Sequence, residues 1–192
     1  MHAITAQALQ RLAQLSGEAP HLDAGPEKVA AVLIALLAAE PECPVVFTQR
    51  ANGMRRHAGE ISLPGGLLEA VDQGSVIRAA LREAQEEVGL PPAAVQVPLV
   101  LPLCRNSRGV VIYPVVGIIT RPLRWRLQAK EVAEVIKVPL SHFLQADHYR
   151  QERRVYDGEE KHSLVLDCGT EQIWGLTARI MNNLRLHLHP DD

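Results

Sequence analysis

The chain has 192 residues, of which 47% are hydrophobic and 22% are charged, and this composition excludes collagen, extended disorder and disulfide-rich scaffolds. It carries 20 basic and 22 acidic side chains, a formal net charge of −2, so no overall basic field favours nucleic acid or an anionic membrane as a partner. Aromatic residues make up 4% of the chain, which is too few to predict a surface that stacks bases.

Cysteine usage and apolar runs bear on the cellular compartment. Cys43, Cys104 and Cys168 are far apart and form no Cys-x-x-Cys pair, so we expect a reducing compartment and neither a disulfide framework nor a structural zinc site. The longest apolar run, Val29–Ala39, is shorter than the roughly 20 residues that cross a bilayer. The N-terminus lacks the pattern of a signal peptide. These features predict a cytoplasmic protein without membrane contact.

The N-terminal part of the chain predicts a helix followed by two paired strands. Apolar residues with helical spacing cover Thr5–Leu15, and a loop follows. We expect residues 1–25 to form a helical extension of a single domain that spans residues 1–192. The apolar runs Val29–Leu37 and Val45–Thr48 flank a proline-containing turn and predict a strand pair, although the alanines of the first run also suit a helix.

The middle of the chain contains the clearest helix. Ala51–Gly66 is rich in glycine, arginine and histidine and predicts a long functional loop around a short strand at Ile61–Leu63. The helix covers Ser75–Val88, where Ser75 caps the N-terminus and Gly89, followed by two prolines, ends the helix. Four apolar residues share one stripe of this helix and predict its buried face: Ile77, Leu81, Ala84 and Val88.

The C-terminal half predicts further strands and a last helix. Val95–Leu103 and Val110–Thr120 are rich in β-branched residues, with prolines that indicate edges or interruptions. Lys130–Pro139 holds an acidic segment followed by apolar residues. Tyr149–Leu166 predicts a hairpin, and Ile173–Leu188 predicts a C-terminal helix. The apolar residues of this helix are compatible with a homodimer. Interleaved strands and helices predict an α/β or α+β fold with one mixed sheet.

The candidate chemistry is concentrated in the acidic helix and the diglycine before it. Glu83, Glu86 and Glu87 stand at i, i+3 and i+4, so their carboxylates are predicted to project from neighbouring points of one face. Two such charges 4 Å apart repel by about 4 kcal/mol at an effective dielectric of about 20, and Mg²⁺ or Mn²⁺ relieves this repulsion. A solvated surface is the alternative interpretation. The open turn predicted at Gly65-Gly66, whose backbone can approach a phosphate or a metal, favours a pyrophosphate site.

This stretch resembles the Nudix box, which reads Gly-x5-Glu-x7-Arg-Glu-apolar-x-Glu-Glu-x-Gly-apolar. Gly66 matches its first glycine, and the residues from Arg82 to Leu90 match its whole second half. Asp72 stands where the box has glutamate, and nine residues rather than seven separate it from Arg82. Glu69 is the nearest alternative carboxylate.

The resemblance implies a Nudix-type α/β/α sandwich and a metal-dependent pyrophosphohydrolase. The three glutamates would hold one to three Mg²⁺ or Mn²⁺ ions together with the backbone carbonyl of Gly66, and such ions lower the pKa of an attacking water. Arg82 would brace the glutamates from beside them. Glu83 is the first choice for the general base, with Glu69 or a downstream glutamate as alternatives.

A second resemblance concerns the segment before the box. Val46–Gly66, VFTQRANGMRRHAGEISLPGG, is similar to the corresponding segment of coenzyme A pyrophosphatases of the Nudix superfamily, with Leu63 in place of the usual Phe. It implies hydrolysis of coenzyme A or acyl-CoA to 3′,5′-ADP and a 4′-phosphopantetheine. Arg50, Arg55 and Arg56 are predicted to bind the substrate beside the diglycine, because guanidinium groups match phosphate oxygens in a bidentate way.

Two other functions stay open at this stage. A Nudix hydrolase for another nucleoside diphosphate derivative, such as ADP-ribose or a dinucleotide, would carry the same box. A non-catalytic binding module on this scaffold would be expected to have a broken box, and the box from Arg82 onward is intact. Among weaker candidates, Glu131 and Glu134 either approach the metals or form a solvated turn, and Trp174 either packs in the core or contacts the substrate.

Overall fold

The computed structural model describes residues 3–15, 19–22, 27–51, 59–156, 159–169 and 171–189. In chain order the helices and strands are α1 (Ala3–Gln14), β1 (Val29–Leu37), β2 (Val45–Arg50), β3 (Ile61–Ser62), β4 (Gly65–Leu67), α2 (Val76–Val88), β5 (Val95–Val100), β6 (Cys104–Arg105), β7 (Val111–Ile119), β8 (Val132–Val138), α3 (Leu140–Phe143), β9 (Tyr149–Tyr156), β10 (Glu159–Cys168), β11 (Glu171–Trp174) and α4 (Gly175–Leu188).

The centre of the fold is the parallel pair of β1 and β7. Its register runs from Val29 opposite Val111 to Leu37 opposite Ile119. β2 and β4 pair antiparallel with β1. β3 and β8 in turn pair with β2, and β5 and β6 pair with β7. Together these strands form a mixed sheet of eight strands. β9, β10 and β11 form a separate antiparallel sheet. The prediction of one sheet therefore missed the second, because strand periodicity does not say which strands pair.

Both faces of β1 are covered, as its continuous apolar sequence requires. Ala31, Leu33 and Ala35 belong to the core that contains α2, whereas Ile34 and Leu36 belong to the core that contains α1 and α4. Helices thus lie on both sides of the mixed sheet. The predicted α/β/α sandwich of α+β class is confirmed.

The buried face of α2 is rotated by about 80° from the predicted stripe. Ile77 and Leu81 are half-buried, since the small alanines face β1 and allow the helix to lie close to the sheet. The fully buried residues of α2 are Val76, Ala79, Ala80, Ala84, Glu87 and Val88. One of the three glutamates is therefore buried rather than solvated.

Other boundaries differ in ways that have local causes. The C-terminal helix begins at Gly175 and not at Ile173, because Ile173 and Trp174 pair with β10. β8 was not predicted as a strand, since Glu134 and Lys137 break its alternation. The hairpin of β9 and β10 and the strand pair of β1 and β2 are confirmed.

The apolar side of α4 is used within the chain. Its buried residues include Ala178, Met181 and Leu184, which belong to the same core as Ala8 and Leu12 of α1. A homodimer stays a prediction. Within the described ranges, every helix is too short or too polar to cross a lipid bilayer.

Candidate active site

Local signals fix the position of α2 in the chain. The Ser75 hydroxyl accepts a hydrogen bond from the Arg78 backbone N–H at 3.3 Å, and Gly89 ends the helix in the left-handed conformation with a φ of 72°. These are the cap and the stop that the sequence predicts. The helix packs on β1 and β4, so its acidic residues lie beside the diglycine of β4.

Arg82 connects the polar residues of α2, β4 and the turn between them. Its Nε donates to Asp72 Oδ1 and its Nη2 to Asp72 Oδ2, both at 3.0 Å. Nη1 donates to Glu83 Oε1 at 2.9 Å and more weakly to Glu86 Oε1 at 3.4 Å. Nη2 also reaches the Leu67 carbonyl at 3.0 Å. Arg82 therefore ties the acidic helix to both the diglycine strand and the turn that follows it.

Asp72, and not Glu69, is the carboxylate that pairs with Arg82. It is 2% exposed, and its Oδ2 also accepts the Glu69 backbone N–H at 2.8 Å, whereas the Glu69 side chain is exposed. Burial by itself would raise the pKa of Asp72, but the hydrogen bonds from Arg82 and from the Glu69 backbone lower it below its usual value.

A tight turn absorbs the longer spacing between Asp72 and Arg82. Gln73 and Gly74 both adopt positive φ values, 51° and 74°, and the Gly74 carbonyl accepts the Leu22 N–H at 2.9 Å. The chain thus reverses direction between the two ion-pair partners without displacing either of them. The departure from the Nudix spacing leaves the Asp72–Arg82 contact possible.

Gly65 and Gly66 lie in a strand and not in the predicted turn. They pair with Val32 and Ala31 of β1, and the Gly65 N–H donates to Glu87 Oε2 at 3.2 Å. A Cβ on Gly66 would overlap the Glu83 carboxylate, and a Cβ on Gly65 would lie 2.6 Å from the Val32 Cα. Glycine is required at both positions because the backbone contacts the acids and the neighbouring strand directly.

The carboxylates of Glu83 and Glu87 lie in an environment that disfavours their negative charge. Burial raises the pKa of Glu87 to about 7, and the charges of Glu83 and Glu131 add to this shift, against the Gly65 hydrogen bond and the positive charge of Arg50. The charges of Arg50, at the end of β2, and of Glu131, before β8, thus act on the buried carboxylate.

Glu83 shows the same tendency as Glu87. Burial raises its pKa, the contact with Arg82 lowers it, and the charges of Glu86 and Glu69 raise it further. A cation among these acids would offset both the desolvation and the repulsion.

The donor chemistry fits a hard divalent cation. Glu83, Glu86, Glu87 and the Gly66 carbonyl offer oxygen atoms, the ligands that Mg²⁺ and Mn²⁺ prefer, and Gly66 leaves beside Glu83 the space that a Cβ would fill. In the part of the chain that the structure describes, no three acidic, histidine or cysteine side chains converge tightly enough to hold an ion as they stand.

The other residues that the sequence predicts for the site do not lie together in the structure. Arg55 and Arg56 lie outside the described residues. Glu134 is exposed on β8, opposite Gln49 of β2, while Trp174 is half-buried at the end of β11. The contact of Arg82 with the Leu67 carbonyl was not predicted, since a backbone acceptor leaves no signal in the sequence.

The comparisons with known proteins show the family of the chain. A family model for the NUDIX domain matches residues 27–158. The chain is 41% identical over 163 residues to proteins described as "Uncharacterized Nudix hydrolase NudL" from Salmonella paratyphi B (strain ATCC BAA-1250 / SPB7) and Salmonella newport (strain SL254), a match that covers 84% of this chain and 83% of each relative. The chain belongs to the Nudix family.

Solved structures support the fold. A MutT/nudix family protein from Enterococcus faecalis has a TM-score of 0.51 at 16% identity, over 96% of this chain and 73% of that one. The Ap4A hydrolase of C. elegans has a TM-score of 0.50 at 15% identity, over 58% and 80%. The family makes this chain a Nudix hydrolase, a pyrophosphohydrolase that acts on nucleoside diphosphate derivatives. Nudix hydrolases generally use divalent metals such as Mg²⁺ or Mn²⁺.

Proposed function

We propose that the protein hydrolyses the pyrophosphate of coenzyme A or an acyl-CoA, giving 3′,5′-ADP and the corresponding 4′-phosphopantetheine. The observation that carries the reaction type is the packing of the acidic helix against the diglycine strand, with the Glu83 carboxylate opposite Gly66 and Glu87 bonded to Gly65. The substrate rests on the similarity of Val46–Gly66 to the segment found in coenzyme A pyrophosphatases.

In this proposal Glu83, Glu86, Glu87 and the Gly66 carbonyl would hold Mg²⁺ or Mn²⁺. The bound ions would neutralise the pyrophosphate and lower the pKa of the attacking water. Glu83 would be the preferred general base for the attacking water, with Glu69 or a downstream glutamate such as Glu131 as alternatives. Arg82 is a positioning residue, since its contacts with Asp72 and Glu83 fix the rotamer of the helix acids.

Substrate binding in the proposal involves the loop before the diglycine. Arg50 ends β2, and its charge acts on Glu87, so it is well placed to meet a phosphate near the acids. Arg55 and Arg56 would add bidentate contacts to phosphate oxygens. The cytoplasmic location predicted from the cysteines stays a prediction.

A hydrolysis panel tests the proposal. Coenzyme A, acetyl-CoA, dephospho-CoA, ADP-ribose and a dinucleotide are compared with Mg²⁺ or Mn²⁺ in ¹⁸O-labelled water, and the products show which phosphorus is attacked. We expect the highest kcat/KM for a coenzyme A compound. A clear preference for ADP-ribose or for the dinucleotide would replace the proposed substrate.

Variants of the acids test the proposed roles. Glu83→Gln and Glu87→Gln keep the shape of the side chain but remove its charge, and we expect each to lower kcat/KM by about 100-fold or more at saturating metal. Glu40→Gln, an acid in the turn between β1 and β2, is the matched control and should keep the parent activity. Parent-like turnover by both site variants would refute the metal-binding roles.

A further inference from the structure

A second concave site lies away from the acids of α2. A cavity of about 470 Å³ opens where β3 and the loop between β6 and β7 meet β10 and the start of α4, and its lining includes the side chains of Arg105, Arg108, Arg154 and Arg179. None of the α2 glutamates lines it. Among its described lining residues, Glu60 is the single acid, so the cavity has a marked excess of positive charge.

Two of these arginines are already paired and two are not. Arg105 forms an ion pair with Glu27, and Arg154 bonds Gln172 and lies 3.6 Å from Glu152. For the guanidinium groups of Arg108 and Arg179, the structure provides no hydrogen-bond or ion-pair partner among the residues it describes. Like charges gathered in a concave surface repel one another and focus a field that attracts anions.

A third observation concerns Arg154, one of the two paired arginines. The Nε of Arg154 is buried and has no hydrogen-bond partner within the described residues. A buried polar group without a partner is destabilising, and a ligand oxygen that reached this Nε would offset that effect. The N-terminus of α4 also opens on the cavity at Gly175, and no side chain caps it, so its dipole favours the same sign of charge.

The other residues that line the cavity indicate an organic ligand rather than a simple anion. Trp174, Leu164 and Leu176 form an apolar part of the wall, and the volume lies in the range of about 300–1,000 Å³ that is typical of sites for organic ligands. The Arg154 guanidinium lies 5.0 Å from the centre of the Trp174 ring. An aromatic base attached to a phosphate would use both the apolar wall and the arginines.

We propose that this cavity binds the phosphomonoester end of a nucleotide, with the base against the Trp174 side of the wall. Arg108 and Arg179 supply the free donors for the phosphate, because a guanidinium group bonds phosphate oxygens in a bidentate way. The source is either the substrate's own phosphomonoester, which rests on the proposed function, or a separate nucleotide. Ser62 lines the cavity and precedes Gly65 by only three residues, at most about 10 Å of chain. One ligand is therefore long enough to reach from the cavity to the diglycine of β4.

Calorimetric titration of the full chain with adenosine 3′,5′-bisphosphate tests the binding. EDTA is present, so that metal at the α2 acids makes no contribution. We expect saturable binding that weakens about tenfold or more in the double variant Arg108→Ala/Arg179→Ala, since charge-assisted hydrogen bonds are lost. The matched control is Arg153→Ala, an exposed arginine on β9 outside the lining, which should bind as the parent does.

Further measurements separate a lost site from a lost fold and one source from the other. The Tm of the double alanine variant should equal that of the parent. The variant Arg108→Lys/Arg179→Lys should bind with intermediate affinity, because lysine keeps the positive charge but lacks the planar guanidinium group that bonds two phosphate oxygens at once. No binding by the parent, or equal binding by parent and double alanine variant, would overturn the proposal.

Kinetics then identify the source of the phosphomonoester. If the substrate supplies it, the ratio of KM for coenzyme A to KM for dephospho-CoA rises in the double alanine variant. If that ratio is unchanged while bisphosphate binding is lost, the cavity binds a separate nucleotide. Failure of the parent to hydrolyse any coenzyme A compound would refute the proposed function and leave the binding result to stand by itself.

Discussion

The Arg82 guanidinium holds Asp72 through two parallel hydrogen bonds of 3.0 Å, one from Nε and one from Nη2. Asp72 is almost wholly buried, and the Arg82 side chain is 18% exposed. The same guanidinium contacts Glu83 through Nη1. The pair therefore links the stability of the turn before α2 to the orientation of the acids on α2.

Removing the charge of Asp72 should destabilise the protein. We expect Asp72→Asn to lower the free energy of unfolding by about 2–4 kcal/mol, because Arg82 is left without its buried partner. Urea unfolding at pH 7 measures the loss. Glu40→Gln breaks an exposed ion pair with Lys137 and should cost much less. Equal effects of the two substitutions would contradict the assigned importance of the Asp72–Arg82 pair.

The difference between the parent and Asp72→Asn should depend on pH. The pKa of Asp72 is lower in the folded chain than the value of about 3.9 in an unfolded one, so its stabilisation is complete above pH 4 and disappears as the pH falls through the folded pKa. Urea unfolding at several pH values should show a constant difference from pH 7 to pH 5 that narrows below pH 4. A difference that persists unchanged to pH 2 would show that the ionised form is not what stabilises.

The two glycines of β4 should respond differently to alanine. In Gly66→Ala the new methyl group meets the end of the flexible Glu83 side chain, so we expect about a 100-fold fall in kcat/KM with little change in Tm. Gly65→Ala meets the backbone of β1 and should lower the Tm strongly.

Gly169→Ala is the control for these two variants, because its methyl group meets open space and only its φ of 72° opposes the substitution. It should retain activity, with a modest fall in Tm. Kinetics and thermal melts of all three variants decide the matter. Full activity in Gly66→Ala would show that the Glu83 carboxylate need not lie against this strand.

Divalent cations should stabilise the protein through the α2 acids. Mg²⁺ or Mn²⁺ at 100 times Kd adds about 2.7 kcal/mol, which corresponds to a rise in Tm of roughly 5–10 °C for a chain of this length. The rise should be much smaller in Glu83→Gln and Glu87→Gln and undiminished in Asp167→Asn, an acid of the second sheet. Thermal melts with and without metal measure it, and an identical rise in all four proteins would place the cation elsewhere.

The three thiols should be slow to react in the folded protein. Burial raises the pKa of Cys43 to about 11 and that of Cys168 to about 12, and burial also raises the pKa of Cys104. The thiolate is the reactive form, so labelling by a disulfide reagent at pH 8 should be at least about tenfold slower than after unfolding. Rapid native labelling of Cys43 or Cys104 would contradict the burial described for these two residues.

Several features of the site were predictable because their signals are local. Ser75 and Gly89 bound α2 through contacts within one turn of the helix, and the spacing of Glu83, Glu86 and Glu87 fixes their common side. The choice between Asp72 and Glu69 was not predictable, because a turn with two left-handed residues decides which carboxylate meets Arg82. Likewise Gly65 and Gly66 have no strand propensity, and only their pairing with β1 makes them a strand.

The order of residues by itself determined the family, the helix that carries the acids and the kind of ion that those acids favour, since each depends on side-chain chemistry or on spacing within a few residues. Tertiary structure alone decided that Glu87 is buried, that Gly66 lies against Glu83 and that four distant arginines line one cavity. These relationships depend on how α2 is rotated on the sheet and on how β3, β9 and α4 come together. Such packing is set by contacts between residues far apart in the chain, which no local pattern records.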